Sequence, residues 1–489
     1  MTLRSTMTLL ACLLCLAPAP LLAQTTSENI RWEDYSTMGA DDAPLSGELG
    51  RLTVPENRAR PDGPTIELAF VRYRSANPDP GPTFFVLAGG PGGSGIDGCI
   101  GPASGRMVRL LQYGDVIGLD QRGTGLSVPN LSNGPAFEWE LPADLAISAA
   151  DVVAASSESV ERCVAYWSEQ GVDLSAYNTA ESADDIDDLR AALGLDKIVP
   201  WGSSYGSHLG LSYLRRHSDH VTRAVFSKVE GPNHTLKLPS TTEFHLQQLS
   251  DLVAADPNFS DTLPNLRGTV GKLLRQLRKE PVTVTVSGES GPVDVSISEF
   301  DLAWSLANIL GEAFELFELP ASIQRLDNGD WSELGAMALE NRRGDVYSAM
   351  SLMMDYASGA TTSRLKRIRR EAKDRSNLLS DAVNMPYPGS WEHCPEADLG
   401  DTFRGPLRCD VPVLFVSGTL DARTPPLNVE EILDGFSAGV HVIVENVGHE
   451  GLEMLSPEYR EVLAAFLRGE AVESQTIAMQ ALPFREFSP

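Results

Sequence analysis

Short apolar runs rich in β-branched and aromatic residues recur along the chain, and segments with a helical spacing of apolar residues lie between them. One helical segment spans 182–194, where Ser182 is the expected N-cap and Asp185 follows three residues later. This alternation predicts an α/β protein with a mostly parallel sheet and helices on both faces. The predicted strands are 65–73, 83–90, 115–120, 197–202, 223–231, 411–418 and 440–446.

The alternation stops at about residue 232 and resumes with the strand at 411–418. The interval is mainly helical in pattern, with one predicted hairpin at 282–298, where alternating runs flank a central glycine. A sheet that is interrupted by a helical insertion and completed afterwards predicts a catalytic core with a cap. The predicted divisions are a signal peptide at 1–23, the first part of the core at 24–231, the cap at 232–403 and the C-terminal part of the core at 404–489.

The chain of 489 residues carries 67 acidic and 39 basic residues, a net charge of −28. A surface this acidic repels nucleic acid and anionic membranes, so no nucleic-acid partner is expected, and it favours cationic groups such as a free amine. The basic run RLKRIRREAKDR at 364–375 is an exception inside the predicted cap. We interpret it as a solvated helix face rather than a binding patch.

The N-terminus predicts an export signal, because the basic Arg4 precedes an apolar stretch at 7–22. That stretch is shorter than the ~20 residues needed to cross a bilayer and contains two prolines, so no membrane span is expected. We therefore expect an exported chain, periplasmic or secreted. A lipoprotein-like sequence that ends at Cys12 leaves lipid anchoring there as an alternative.

Removal of the signal would leave four cysteines, an even number that predicts two disulfides in an exported protein. Of the three possible pairings we favour 99–163 and 394–409, because each pair then lies within one region; four buried thiols are the alternative. No His/Cys cluster with zinc spacing occurs, so no metal is expected. The four residues are Cys99, Cys163, Cys394 and Cys409.

The pattern Gly-x-Ser-x-Gly, which marks the nucleophile of many serine hydrolases, occurs at 202–206 and again at 435–439. Such a nucleophile lies on a sharp turn between a strand and a helix. Ser204 follows the apolar run IVPW and precedes a helical pattern, whereas Ser437 follows a helical pattern and precedes a strand. Ser204 is therefore the predicted nucleophile.

A serine hydroxyl becomes an effective nucleophile when a histidine accepts its proton and a carboxylate orients the histidine. Asp421 follows one late predicted strand and His449 follows the next, which gives the chain order Ser, Asp, His expected here. Glu230 is the alternative acid. No cofactor is required for this chemistry.

Attack on a carbonyl also requires N–H donors for the developing oxyanion. The first expected donor is the backbone N–H of Tyr205, next to the nucleophile. The second is expected from the loop AGGPGGSG at 88–95, where Pro91 has no N–H; Gly90 is the first candidate and Gly92 the second.

The motifs GGPGGSG, DQRGTGLS, GSSYGS, GTLDARTP and VGH, in this order, resemble the proline iminopeptidase and tripeptidyl aminopeptidase branch of the α/β-hydrolases. The resemblance implies the α/β-hydrolase fold and a serine exopeptidase that acts on free peptide N-termini beneath a helical cap. It places Ser204, Asp421 and His449 at the triad positions, and it implies that Asp120 and Arg122 shape the active-site loop.

Two departures from that family concern the substrate. Iminopeptidases usually carry His before the GGPG motif, where this chain has Ala88, and the cap glutamates that hold the substrate amine have no clear match. Glu230 and Glu243, near the predicted start of the cap, are the candidates for that role. The leading hypothesis is an exported serine aminopeptidase; the alternatives are a carboxylesterase with the same triad and a non-catalytic binding protein.

Overall fold

The computed structural model describes residues 30–289, 291–346, 348–480 and 483–485. The predicted signal peptide and Cys12 lie outside these residues. In the part of the chain that is described, none of the helices combines the length and the apolar character that a bilayer crossing requires.

Strands and helices alternate through most of the described chain. The strands are β1 (Ile30–Met38), β2 (Pro44–Pro55), β3 (Thr65–Tyr73), β4 (Gly81–Leu87), β5 (Gly114–Leu119), β6 (Glu138–Glu140), β7 (Ile198–Ser203), β8 (Ala224–Ser227), β9 (Val282–Gly288), β10 (Gly291–Ile297), β11 (Arg343–Asp345), β12 (Val413–Gly418), β13 (Gly439–Val444) and β14 (Gln475–Ile477). The helices are α1 (Ser104–Leu110), α2 (Ala149–Glu169), α3 (Thr179–Ala192), α4 (Tyr205–His217), α5 (Pro239–Ala255), α6 (Leu266–Lys279), α7 (Glu299–Ile309), α8 (Ala313–Leu316), α9 (Leu319–Asp327), α10 (Ser332–Asn341), α11 (Ala349–Ser358), α12 (Thr362–Glu371), α13 (Gly400–Arg404), α14 (Pro426–Glu430) and α15 (Pro457–Arg468).

Ten strands form one sheet in the order β1-β2-β3-β5-β4-β7-β8-β12-β13-β14. From β5 to β14 all neighbours are parallel, while β1, β2 and β3 extend the sheet as antiparallel strands. Every residue of β5 and β12 is buried, because helices cover both faces of a parallel sheet. The predicted mostly parallel α/β architecture is confirmed.

The chain between β8 and β12 is mainly helical and carries its own apolar core. Helices α5, α6, α7 and α9 contribute Leu246, Leu273, Leu302 and Ile323 to a buried cluster that is separate from the two clusters on the faces of the main sheet. The hairpin predicted at 282–298 is present as β9 and β10, and its apolar residues join this cluster through Val286 and Val295.

The predicted pairings of Cys99 with Cys163 and of Cys394 with Cys409 are both wrong, and all four cysteines are free thiols. Cys99 packs on one face of the main sheet with Val86, whereas Cys163 packs on the opposite face with Phe85, so the sheet separates the two sulfurs. Burial raises the pKa of the Cys99 and Cys163 thiols to about 12. The partly buried Cys394 packs against the cluster that holds Cys163.

Candidate active site

The predicted nucleophile lies on a sharp turn between β7 and α4. Ser204 has φ 57° and ψ −129°, a conformation that L-residues adopt only when their surroundings enforce it. The flanking glycines allow close packing: a Cβ on Gly202 would lie 2.2 Å from the carbonyl oxygen of Gly206, and a Cβ on Gly206 would lie 2.1 Å from that of Leu87. The turn therefore presents the Ser204 hydroxyl at the carboxyl edge of the sheet.

The structure brings Ser204, His449 and Asp421 together. His449 Nε2 lies 3.1 Å from Ser204 Oγ, and His449 Nδ1 lies 2.9 Å from Asp421 Oδ2. Asp421 follows β12 and His449 follows β13, and these parallel strands end at the same edge of the sheet as β7. The three side chains form one continuous line of hydrogen bonds from hydroxyl to carboxylate.

Asp421 is fully buried, and Thr424 satisfies most of its remaining hydrogen-bonding capacity. The Thr424 hydroxyl donates to Asp421 Oδ2 at 2.6 Å, and the backbone amides of Arg423 and Thr424 donate to Oδ1. Burial by itself raises the pKa of Asp421, but the His449 ring and the Thr424 donors outweigh burial and lower that pKa to about 2. The carboxylate therefore stays charged at neutral and mildly acidic pH.

Thr424 was missed by sequence reasoning. Its hydroxyl also lies 3.2 Å from His449 Nδ1, so it touches both partners of the nucleophile. The sequence did carry a signal for Thr424. In the turn DART a hydroxyl residue follows an aspartate by three positions, and this spacing favours a local side-chain hydrogen bond.

Both predicted oxyanion donors lie beside the nucleophile. Tyr205 is the first residue of α4, so its N–H has no carbonyl acceptor within the helix. A Cβ on Gly89 would lie 3.2 Å from Ser204 Cβ, which places the peptide that supplies the Gly90 N–H against the serine. Gly92 packs against α11, because a Cβ there would lie 2.2 Å from Ser351 Oγ.

Two family models match the two segments of the chain that carry the triad residues. One, described as alpha/beta hydrolase fold, matches residues 82–273, which include Ser204, and the other, described as TAP-like protein, matches residues 390–476, which include Asp421 and His449. The chain is an α/β-hydrolase.

Similar proteins include named peptidases. The tripeptidyl aminopeptidase of Streptomyces coelicolor is 26% identical over 458 residues, 88% of this chain and 82% of that protein. The serine protease Hip1 of Mycobacterium tuberculosis is 31% identical over 191 residues, 38% of this chain and 36% of that protein. These relatives confirm the predicted resemblance to the tripeptidyl aminopeptidase branch, and the chain is a serine hydrolase.

Among solved structures, Rv0554 from Mycobacterium tuberculosis matches with a TM-score of 0.39 and 14% identity, covering 86% of this chain and all of that one.

In this α/β-hydrolase, a short segment after α7 contacts the loops that carry Asp421 and His449. The backbone N–H of His449 donates to the carbonyl of Gly311 at 2.6 Å, and Glu312 forms an ion pair with Arg423 at 2.7 Å. Gly311 has φ 109°, and a Cβ there would lie 3.3 Å from the backbone nitrogens of Ala422 and Arg423. The insertion therefore helps to hold both triad loops.

Asp120 and Arg122 brace the surroundings of the hydrolase site without touching Ser204. Asp120 accepts hydrogen bonds from the Ser94 hydroxyl at 2.6 Å and from the Leu126 amide at 2.7 Å, which ties the glycine-rich loop to the loop after β5. Arg122 is fully buried and binds both oxygens of Asp185 at 2.7 Å. These contacts agree with the structural role that the resemblance implied.

The two candidate amine-binding glutamates have different surroundings. Glu230 is buried near the start of α4 and pairs with Lys237 at 3.3 Å; burial raises its pKa, but Lys237 and His208 outweigh burial and lower it. Glu243 gives one oxygen to Arg267 and the other to the amide of Leu378. Both oxygens of Glu243 are thus engaged within the insertion.

A third carboxyl, that of Asp355 on α11, lies near Glu230 and was missed by sequence reasoning. Burial and, to a smaller extent, the charge of Glu230 raise the pKa of Asp355 to about 8, although the charge of Lys237 acts to lower it. Ser351, one turn earlier on α11, donates a hydrogen bond to the carbonyl of Pro91 at 2.6 Å, so this helix lies against the oxyanion loop. No sequence signal links positions 230 and 355.

Three residues of the kinds that can bind a metal ion lie together outside this site, between α3 and the end of α4. Asp187, His217 and His220 bring one ligand atom each within 4.8 Å of one another. Arg190 and Tyr213 also bind the Asp187 carboxylate, so the group is part of an ion-pair network between two helices.

Proposed function

We propose that this serine hydrolase is an exported aminopeptidase, which releases residues or short peptides from free peptide N-termini through an acyl-enzyme. Ser204 would be the nucleophile, His449 the general base and acid, and Asp421 the residue that orients the imidazole. The observation that carries the proposal is the continuous line of hydrogen bonds from Ser204 to Asp421. The named peptidase relatives support peptides as substrates.

The geometry supports a two-step reaction. His449 Nε2 takes the hydroxyl proton while Ser204 Oγ bonds to the scissile carbonyl carbon, and the N–H groups of Tyr205 and Gly90 stabilise the oxyanion. His449 then gives that proton to the leaving amine as the C–N bond breaks. Water passes a proton to His449, attacks the ester, and releases the acid and the Ser204 hydroxyl.

The carboxyl groups of Glu230 and Asp355 would bind the substrate ammonium. Lys237 offsets the charge of Glu230, so ionisation of Asp355 leaves room for one further cation at this pair. Both carboxyls lie close enough to Tyr205, the residue after the nucleophile, for their charges to raise the pKa of its phenol beyond the rise caused by burial. An ammonium held there would place an N-terminal residue near Ser204.

The insertion at 232–403 would act as the cap of this active site, with core segments at 24–231 and 404–489. Its contacts with the glycine-rich loop through α11, and with the triad loops through Gly311, support this division. A cap in this position would limit substrates to chain ends.

Turnover of chromogenic peptides with free and with acetylated N-termini tests the proposal. We expect kcat/KM to be at least ~100-fold higher for the free peptide, and equal cleavage of both would remove the aminopeptidase assignment. Ser204→Ala is expected to lower kcat by on the order of 10⁶, as for the corresponding change in another serine protease.

Two further measurements separate the alternatives. Short acyl esters that react far faster than any peptide would indicate a carboxylesterase with the same triad. Absence of Ser204 labelling by a fluorophosphonate, in a folded protein, would indicate a non-catalytic binding protein.

A further inference from the structure

Helix α12 and the turn that follows it carry a row of basic side chains. Lys366, Arg369 and Arg370 on the helix and Lys373 just beyond its end recur at the spacing i, i+3, i+4, i+7, and all four are exposed. The opposite face holds Arg364 and Ile368, which are buried. We call the four exposed residues the basic row.

The basic row is not paired with acids in the part of the chain that the structure describes. Among those residues, none forms an ion pair or side-chain hydrogen bond with the four side chains, whereas Arg367 on the same helix pairs with Glu371 at 2.7 Å. Like charges at i, i+4 destabilise a helix, and Lys366 and Arg370 form such a pair within α12. A chain with net charge −28 that keeps such repulsion uncompensated points to a ligand at this face.

The row continues into a groove between α6 and the turn after α12. The groove has a volume of about 520 Å³, and its lining includes Arg275, Lys373 and Arg375, none of which pairs with a carboxylate of the described residues. Two acids also line it: Glu299 is bound by Arg278, and Asp374 accepts hydrogen bonds from Ser376 and keeps its negative charge. Three unpaired cations outnumber that one acid, so the net charge of the groove is positive.

An exposed aromatic residue lies on the neighbouring helix. The amide of Ser240, near the start of α5, donates to Glu371 at 3.1 Å, and the amide of Leu378 donates to Glu243 at 2.7 Å, so α5 contacts α12 through Glu371 and lies beside the turn that lines the groove. Phe244 follows Glu243 and is 55% exposed. An exposed large apolar side chain on the same part of the molecule as a basic surface is typical of proteins that lie on a lipid surface.

We propose that the basic row, the groove and Phe244 form a docking surface for the phosphate groups of an anionic phospholipid membrane. The acidic remainder of the protein does not prevent this, because charges farther away than the Debye length of ~8–10 Å are largely screened at physiological ionic strength. Phe244 favours a membrane over nucleic acid, since its ring gains by entering the boundary between headgroups and acyl chains. The surface would keep the hydrolase at a membrane that it does not span.

Binding of the full chain to sedimented lipid vesicles tests the proposal. We expect binding to vesicles that contain phosphatidylglycerol, weak binding to pure phosphatidylcholine vesicles, and loss of binding as sodium chloride is raised. Combining Lys366→Gln, Arg369→Gln and Arg370→Gln should weaken binding by on the order of 100-fold, since each basic side chain near such a surface contributes about fivefold. Phe244→Ser should weaken it further.

A matched variant controls for net charge. Lys197→Gln, Arg109→Gln and Arg408→Gln change the same number of exposed cations that lack ion pairs elsewhere on the protein, and they should leave binding within about twofold. Thermal unfolding confirms that both triple variants fold; glutamine keeps helix propensity near that of lysine and arginine.

Four outcomes would overturn the proposal. These are no binding to phosphatidylglycerol vesicles, equal weakening in both triple variants, complete competition by inorganic phosphate at constant ionic strength, and row-dependent binding of single-stranded DNA that is tighter than vesicle binding. The third would assign the site to free phosphate, and the fourth to nucleic acid.

Discussion

The hydroxyl of Thr424 is the residue-scale feature that most affects the triad, because it contacts both Asp421 and His449. Thr424→Val keeps the shape and removes a hydrogen bond to a charged group, an interaction worth ~1.5–3 kcal/mol. We expect kcat to fall by about 10- to 100-fold with KM nearly unchanged, in steady-state kinetics with a free peptide. Thr424→Ser should restore most of the activity; a valine variant with full activity would contradict the role assigned to this hydroxyl.

Asp355 combines a cost in stability with a proposed gain in substrate binding. Because its folded pKa of about 8 lies above its usual value, the folded chain retains a proton that the unfolded chain releases, and stability falls as the pH rises from about 4 to 8. Asp355→Asn removes this cost. We expect Tm at pH 8 to rise by ~2–4 °C and KM for free-amine peptides to rise at least tenfold.

The matched control for Asp355→Asn is Glu243→Gln, whose carboxylate is already engaged by Arg267 and Leu378. It should leave KM for free peptides unchanged. In Ser204→Ala protein, peptide affinity should strengthen between pH 6 and about 8 as Asp355 loses its proton, and this rise should vanish when Asp355→Asn is added. Unchanged affinity and an unchanged pH profile would place the substrate amine elsewhere.

At the scale of elements, the strand–turn–helix around Ser204 and the strands before Asp421 and His449 were predictable because each is a local pattern of apolar residues and glycines. The N-cap of α3 was not predictable: Asn178 accepts hydrogen bonds from the amides of Ala180 and Glu181, so the N-cap lies four residues before the predicted Ser182. Ser182 is buried inside the helix. Several polar residues compete at this helix start, and tertiary contacts choose among them.

The segment at Gly311 links the insertion to the catalytic loops, and its conformation can be tested with one methyl group. Gly311→Ala puts a Cβ at φ 109° and about 3.3 Å from the backbone nitrogens of Ala422 and Arg423, so the loop that carries Asp421 has to shift by a few tenths of an ångström. We expect kcat to fall on the order of 10- to 100-fold, because small displacements of catalytic groups are costly. Peptide turnover and thermal unfolding give the two readouts.

Gly329→Ala provides the control for backbone strain. Gly329 has φ 90°, but a Cβ there meets no atom within 4 Å, so this variant carries the conformational penalty without the contact. Both variants should lose ~1–3 kcal/mol of unfolding free energy. Only Gly311→Ala should lose activity, and equal activity in the two variants would show that this contact does not support the triad.

At the scale of the whole molecule, sequence patterns predicted the sheet and the three residues at its edge, but not relations across the fold. The strand β1 was missed because only one of its residues is buried and it lacks an apolar run. The cysteine pairing failed because nearness in sequence does not show that a sheet lies between Cys99 and Cys163. Asp355 meets Glu230 only because the insertion folds back over the core.

As the pH falls, the acidity of the whole chain and its buried ion pairs change the stability of the fold in opposite directions. Protonation of surface carboxylates relieves the repulsion of a net charge of −28, which stabilises the fold. Asp184 and Asp187 act in the opposite sense. Burial raises the pKa of each, but hydrogen bonds from His217 and Arg216 to Asp184, and from Arg190 to Asp187, outweigh it and lower both to about 2. Their contribution is complete above their unfolded pKa and is lost as the pH falls through the folded value.

These two effects predict a maximum of stability in mildly acidic solution. Tm of the wild-type protein should rise slightly from pH 7 to about 5, as repulsion is relieved, and then fall steeply between about pH 4 and 2, as Asp184 and Asp187 lose their pairs. The double variant Asp184→Asn, Asp187→Asn should have a lower Tm at pH 7 and a flatter profile below pH 4, because it has no such pairs to lose. The exposed Asp79→Asn should follow the wild-type curve. If Tm falls equally steeply below pH 4 in the double variant and in the wild type, other carboxylates control unfolding in acid.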